Sequence, residues 1–175
     1  MAGRLHSIAG IRHLVKALLV AVLATSCGVG SNGTGRLRAR FALPSNDTTQ
    51  FTSDARASLC AGGRGVLLEG ISGGSGVLAW LRGGKTPEGS YVPIPRGDSL
   101  TRRGAVVSAR VGPREPSHGV LLDSGTVEVT SANGRISARV TGRGADLLTA
   151  ARVTIDIAFD SVPAPTDTVE CRVAL

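Results

Sequence analysis

Apolar residues recur at every second position over most of the chain beyond residue 35. Leu37, Ala39, Phe41 and Leu43 share one face of an extended segment, with Arg36, Arg38 and Arg40 on the other. Val107, Ala109 and Val111 alternate in the same way. Val127 and Val129 do so opposite Thr126, Glu128 and Thr130. Ile136, Ala138 and Val140 follow after Asn133-Gly134, and Val153, Ile155, Ile157 and Phe159 form the clearest run. A period of two is the signature of strands with one face buried. Asn-Gly between two such runs predicts a hairpin, because both residues tolerate positive φ.

Two runs, Val66 to Leu68 and Val77 to Leu81, are apolar on both faces. Such strands are expected to be central or covered on both sides. Gly70 to Gly76 reads as the loop between them, and Gly83-Gly84, Pro87 and Gly89 end the second. Pro93 and Pro95 demote the Tyr91 segment to an edge or extended piece. Val169, Cys171, Val173 and Leu175 predict a closing strand with Cys171 on its apolar side. Only Gly144 to Ala151 has room for a short helix. Eight to ten short strands predict an all-β domain, a single antiparallel β-sandwich or small β-barrel. Aromatic residues number five, so the core must be built from Val, Leu, Ile and Ala. A hydrophobic share of 42% excludes a wholly disordered chain.

The N-terminus reads as an address. Arg4, Arg12 and Lys16 precede an uncharged run from Ala17 to Ser26, too short for a membrane span. Leu23-Ala24-Thr25-Ser26-Cys27 resembles the lipobox of bacterial lipoproteins. That resemblance implies cleavage before Cys27 and a diacylglycerol on its thiol, with acylation (palmitate or a similar chain) completing the anchor. It divides the chain into a signal peptide (1–26), a lipidated Cys27 with a flexible tether (27–35) and a β-domain (36–175). Ala24 stands where Leu is commonest in the motif, and the alternative is an ordinary secretory signal. Gly28, rather than Asp, follows the cysteine. In envelopes like those of enteric bacteria this implies the outer membrane, periplasmic face. The stretch Gly125 to Gly142 is similar to one in small exported β-domain lipoproteins of GC-rich bacteria. That second likeness implies no activity.

With Cys27 assigned to lipid, Cys60 and Cys171 remain. An exported domain meets an oxidising compartment, so the pair is expected to form a disulfide; two buried free thiols are the alternative. With 110 residues between them, such a bridge stabilises by about 4–5 kcal/mol in the chain-entropy description. Too few Cys and His remain for a zinc site, and no cofactor is expected.

Several motifs carry chemistry elsewhere and fail here. Ala79 to Thr86 fits a relaxed phosphate-loop string, but its loop positions are a hydrophobic strand and Pro87 opposes a helix after it. Gly70-Ile71-Ser72-Gly73-Gly74 fits a nucleophile elbow, with Asp98 and His118 in the right chain order for a triad. Glycine and a further strand follow where a helix is needed. His118, in a proline-bounded loop, reads as a solvated side chain. Asp123, Glu128, Asp156 and Asp160 show no pairing suited to acid–base work.

The net charge of +7 owes much to the leader. Without Arg4, Arg12 and Lys16, 17 basic side chains face 13 acidic ones. The basic segment Arg96, Arg102, Arg103, Arg110 and Arg114 reads as a solvated face, or as a contact for anionic lipid, polysaccharide or protein. Nucleic acid is not expected, because stacking aromatics are lacking. The expected function is a membrane-anchored exported lipoprotein with a structural or envelope-binding role, and not an enzyme. The alternative is a small-ligand binder with a cavity inside a barrel. A hydrolase ranks last.

Overall fold

The computed structural model describes residues 34–43, 47–85, 87–112 and 117–171. The expected signal peptide, Cys27, most of the tether, Arg114, Val173 and Leu175 lie outside the described residues.

Ten strands form one sheet. They are β1 (Gly35–Ala42), β2 (Thr48–Cys60), β3 (Val66–Ser72), β4 (Ser75–Arg82), β5 (Gly89–Tyr91), β6 (Gly104–Val111), β7 (His118–Ala132), β8 (Arg135–Asp146), β9 (Arg152–Pro163) and β10 (Thr168–Val169). Eight of them close an antiparallel barrel in the order β1-β2-β3-β4-β6-β7-β8-β9, with β9 returning to β1. Each long strand therefore pairs with its neighbours in sequence, which tight turns make straightforward. Asn133 (φ 52°) and Gly134 (φ 69°) supply the two left-handed residues of the β7–β8 hairpin turn. No α-helix occurs among the described residues. Gly144 and Asp146 belong to β8, and a turn follows where a short helix had room.

The alternation becomes an inside and an outside. Leu37, Ala39 and Phe41 pair across from Phe159, Ile157 and Ile155 on one side, and from Ser53, Phe51 and Thr49 on the other. Directly opposed residues share a face, so one continuous apolar core fills the interior. Small side chains suit it, because an eight-stranded barrel encloses only enough width for side chains or one small ligand. Full burial of each Leu, Val, Ile or Phe contributes about 1.5–3 kcal/mol.

Two local devices keep the wall continuous. β6 pairs with β7 only over His118–Leu121, and β5 takes its place beside Val127–Val129. The residues after β5 then pair with the start of β6: Ile94 N–H donates to the Ala105 carbonyl and Ala105 N–H to that of Val92. The prolines therefore shorten this segment without sending it to a free edge. At the bulge between Leu122 and Ser124, strands β7 and β8 approach so closely that a Cβ on Gly142 would lie 2.0 Å from the Ser124 carbonyl oxygen.

The barrel has two ends. At the proximal end β1 begins, and the connections 61–65, 83–103, 133–134 and 164–171 gather. At the distal end lie the turns 73–74 and 147–151, with Leu43, Asp47, Gly112 and Ser117 beside the strand ends.

Among the described residues one buried hydroxyl goes unsatisfied. The Ser53 hydroxyl is buried and has no hydrogen-bond partner among the described residues. It sits where Gly70 leaves space beside Leu37. An unmet buried hydroxyl costs about 1–3 kcal/mol. Ser53→Ala is therefore expected to raise the urea midpoint of unfolding. A midpoint lowered by the substitution contradicts the burial of an unsatisfied group.

Candidate functional site

The strands that are apolar on both faces build the principal surface feature. Leu67, Leu78, Trp80, Val106 and Leu121 point outward from β3, β4, β6 and β7, away from the core. The C-terminal segment crosses this wall, and Cys171 joins Cys60 at the end of β2 (Cα–Cα 5.2 Å). Cys60, Cys171 and Trp80 pack together with Leu67, Val106 and Val169 into a second, smaller apolar cluster. The Trp80 indole N–H donates to the Arg64 carbonyl (3.2 Å) and the Arg82 guanidinium lies 5.3 Å from its ring centroid. The expected disulfide is present, but on the outer side of the wall. Cys171 follows β10, which ends at Val169, instead of lying in a longer strand.

The strap covers only part of this outer face. What it leaves is a groove of about 680 Å³. Its floor is Leu67, Leu78, Val106 and Leu121; Trp80 and Cys171 line it together with Ile71 and Leu147. Arg96, Arg110 and Glu170 bring charge to it. Leu78, Ile71 and Leu147 are 41%, 66% and 58% exposed, so the groove is open to solvent along much of its length. A volume of this size lies within the range of ligand pockets, and an apolar lining with a few charges suits an apolar segment with a polar end. A second cleft, on the opposite wall, is polar and includes Arg38, Arg40, Arg139 and Asp156.

The outward arginines elsewhere are largely paired. Arg38 meets Asp160 (2.9 Å), Arg139 meets Asp156 (3.1 Å), and Arg152 and Arg56 meet Asp123 and Glu69. Exposed pairs of this kind contribute about 0–1 kcal/mol each. The basic segment itself is divided: Arg96, Arg102 and Arg103 sit in the proximal connections, whereas Arg110 lies at the far end of β6. It is not one continuous face.

The triad candidates are not brought together. Ser72 opposes Ser75, Ser75 aligns with Val111 through the β4–β6 register, and Val111 opposes His118. Three strand intervals separate Ser72 from His118, about 14 Å at ordinary sheet spacing. Asp98 lies at the other end of the barrel, where its carboxylate accepts from the Leu100 and Thr101 N–H groups (2.7 and 2.8 Å). In the phosphate-loop string, Ala79 to Arg82 belong to β4, as strand periodicity implied.

His118 opens β7 and is not simply a solvated side chain. Its Nδ1 hydrogen-bonds to Asp146, whose side chain is 2% exposed. Asp146 also accepts from the N–H groups of Leu148 (2.8 Å) and Thr149 (3.0 Å), closing the β8–β9 turn. The sequence signal for this residue was an Asp two and three positions before the turn amides it binds. Asp146 faces inward beside Val120, at the distal mouth of the core. Burial alone pushes its pKa up. The bonds from Thr149, His118 and Leu148, with the His118 charge, outweigh that and hold it below the usual carboxylate range. Among the described residues no group of three or more His, Cys, Asp or Glu is placed to hold a metal.

Because the folded-state pKa of Asp146 is depressed, its contribution is complete above the unfolded value near 3.9. It is lost as pH falls through the folded value. Asp146→Asn should therefore lower stability at neutral pH and flatten the acid limb of the stability curve, read by urea unfolding from pH 7 downward. Parallel curves for both proteins down to pH 2 contradict this role.

Comparison of the chain with protein-family models, with curated proteins and with solved structures finds no match.

Proposed function

We propose that this chain is an exported lipoprotein whose barrel is held at a membrane through Cys27 and binds an apolar segment of an envelope partner in its outer groove. The observation that carries the binding role is the groove over β3, β4, β6 and β7. It is an apolar floor that the described part of the C-terminal strap, through Cys171, leaves open. The export half rests on the lipobox and draws support from the Cys60–Cys171 bridge, which suits an oxidising compartment. The reading assigns no reaction to the chain. A small apolar ligand is the second reading, favoured by the groove's volume. It moves the ligand from the barrel interior, where the sequence placed it, to the outer wall.

Anchoring is tested by feeding cells a radioactive fatty acid. Label is expected on the protein and is expected to vanish in Cys27→Ala; label that persists in that variant refutes the anchor. The groove has its own reporter, because Trp80 is the sole tryptophan. An apolar dye such as anilinonaphthalene sulfonate should accept energy from Trp80, and Leu78→Arg should abolish the transfer without unfolding the barrel. Transfer unaffected by Leu78→Arg contradicts binding at this site.

A further inference from the structure

Three features meet at the proximal end of the barrel; the distal end also exposes Leu147 and Leu148, but it lacks the first feature and its described residues carry fewer cations. First, β1 begins there at Gly35, so whatever precedes the barrel is joined to it at that end. From Cys27 to Gly35 the chain spans at most about 28 Å when fully extended, and about 16 Å as a flexible Gly-rich coil. Second, that end is basic. Its connections and strand ends carry Arg64, Arg82, Lys85, Arg96, Arg102, Arg103 and Arg135 against Glu88, Asp98, Asp167 and Glu170. At the distal end the described connections include no Lys or Arg, and the strand ends add Arg110 and Arg152. Third, an apolar side chain is displayed at the tip of the β5–β6 connection. Leu100 is 90% exposed, and Val92, just after β5, is 64% exposed.

Leu100 is held in this position. Asp98 accepts hydrogen bonds from the Leu100 and Thr101 N–H groups and from the Thr101 hydroxyl, and Arg82 donates to the Asp98 carbonyl (2.5 Å). The turn thus fixes an exposed leucine between Arg96 and the Arg102-Arg103 pair. Arg103 is itself braced over the Tyr91 ring, 4.6 Å from its centroid. A lone exposed leucine needs no explanation. One tied down between exposed arginines, at the end where the chain enters from Cys27, has the composition of an interfacial anchor: apolar groups for the acyl boundary and cations for the phosphates.

We propose that the proximal end is a bilayer-docking face, in which Leu100 and Val92 enter the headgroup boundary while Arg96, Arg102 and Arg103 engage the phosphates of anionic glycerophospholipids. This rests on the lipid-anchor reading for its orientation: the acyl chains bring the barrel to the bilayer, and the docking face sets which end meets it. The outer groove then runs up the wall, away from the surface, where a partner reaches it.

The test separates the two claims by removing the anchor. The chain from Gly28 onward contains every strand of the closed barrel and both bridged cysteines. Its sedimentation is measured with vesicles of equal parts phosphatidylglycerol and phosphatidylcholine, and with phosphatidylcholine alone. Binding is expected only to the anionic vesicles and should weaken as salt is raised. Arg96→Glu with Arg102→Glu, at two exposed positions, should weaken it by about tenfold or more. Leu100→Ser should weaken it several-fold. Leu148→Ser, at the distal end and outside the groove, should leave it unchanged. Absence of binding to anionic vesicles, equal binding to both compositions, or equal loss with Leu148→Ser overturns the docking face. None of these results bears on fatty-acid labelling at Cys27, so failure of the face and failure of the anchor are distinguishable.

Discussion

Strand β1 hydrogen-bonds to β2 along one edge and to β9 along the other, and this double pairing governs the rest of the structure. It converts a meander into a closed wall whose long strands have no exposed edge. Closure also fixes the meaning of every strand position. Alternate residues must fit a narrow interior, and the remainder face outward. The abundance of Val, Ala and Ile at inward sites, with Phe41 and Phe159 as the largest fully buried side chains, follows from that width. Gly142 and Gly125 let β7 and β8 approach at their bulge, where even a methyl group would meet a carbonyl oxygen.

The outer wall divides into two kinds of surface for the same reason. Over β1, β8 and β9 the outward positions are charged, and cross-strand pairs such as Arg38–Asp160 keep that face solvated. Where β3, β4, β6 and the start of β7 meet, Leu67, Leu78, Trp80, Val106 and Leu121 make the outward surface largely apolar, and solvating it is unfavourable. The C-terminal strap covers the Trp80 side of this surface and the disulfide holds it down. The described part of the strap, through Cys171, leaves Leu78 and Ile71 exposed on this wall, and this partial cover bounds the groove. The bridge thus does more than close a long loop: it fixes the boundary between the covered and the open part of one apolar face.

Much of the barrel was legible from period alone. The runs around Leu37, Val107, Val127, Ile136 and Ile155 each became a strand with the expected face inward, and Asn133-Gly134 became the expected hairpin turn. Closure was not legible, because the pairing of β1 with β9 joins residues more than a hundred positions apart and leaves no local mark. The two-faced runs at Val66 and Val77 announced that something covers their second face. They did not say that the cover is partial, since that depends on where the Cys171 strap crosses. Asp146 escaped notice because its partners are backbone amides of its own turn and a histidine brought near only by the β7–β8 pairing. The division of the basic segment between the two ends likewise follows from β6 running the length of the wall, which a linear reading merges into one patch.

The proposed lipid anchor at Cys27 and the Cys60–Cys171 bridge of the barrel both leave a signature in one quantity. Intact-mass spectrometry of the protein extracted from cell membranes reads them together. The predicted mass is that of a chain beginning at Cys27, increased by diacylglycerol and an acyl chain, and reduced by the two hydrogens lost in forming the Cys60–Cys171 bridge. A mass equal to the uncut 175-residue chain with all three thiols free contradicts it.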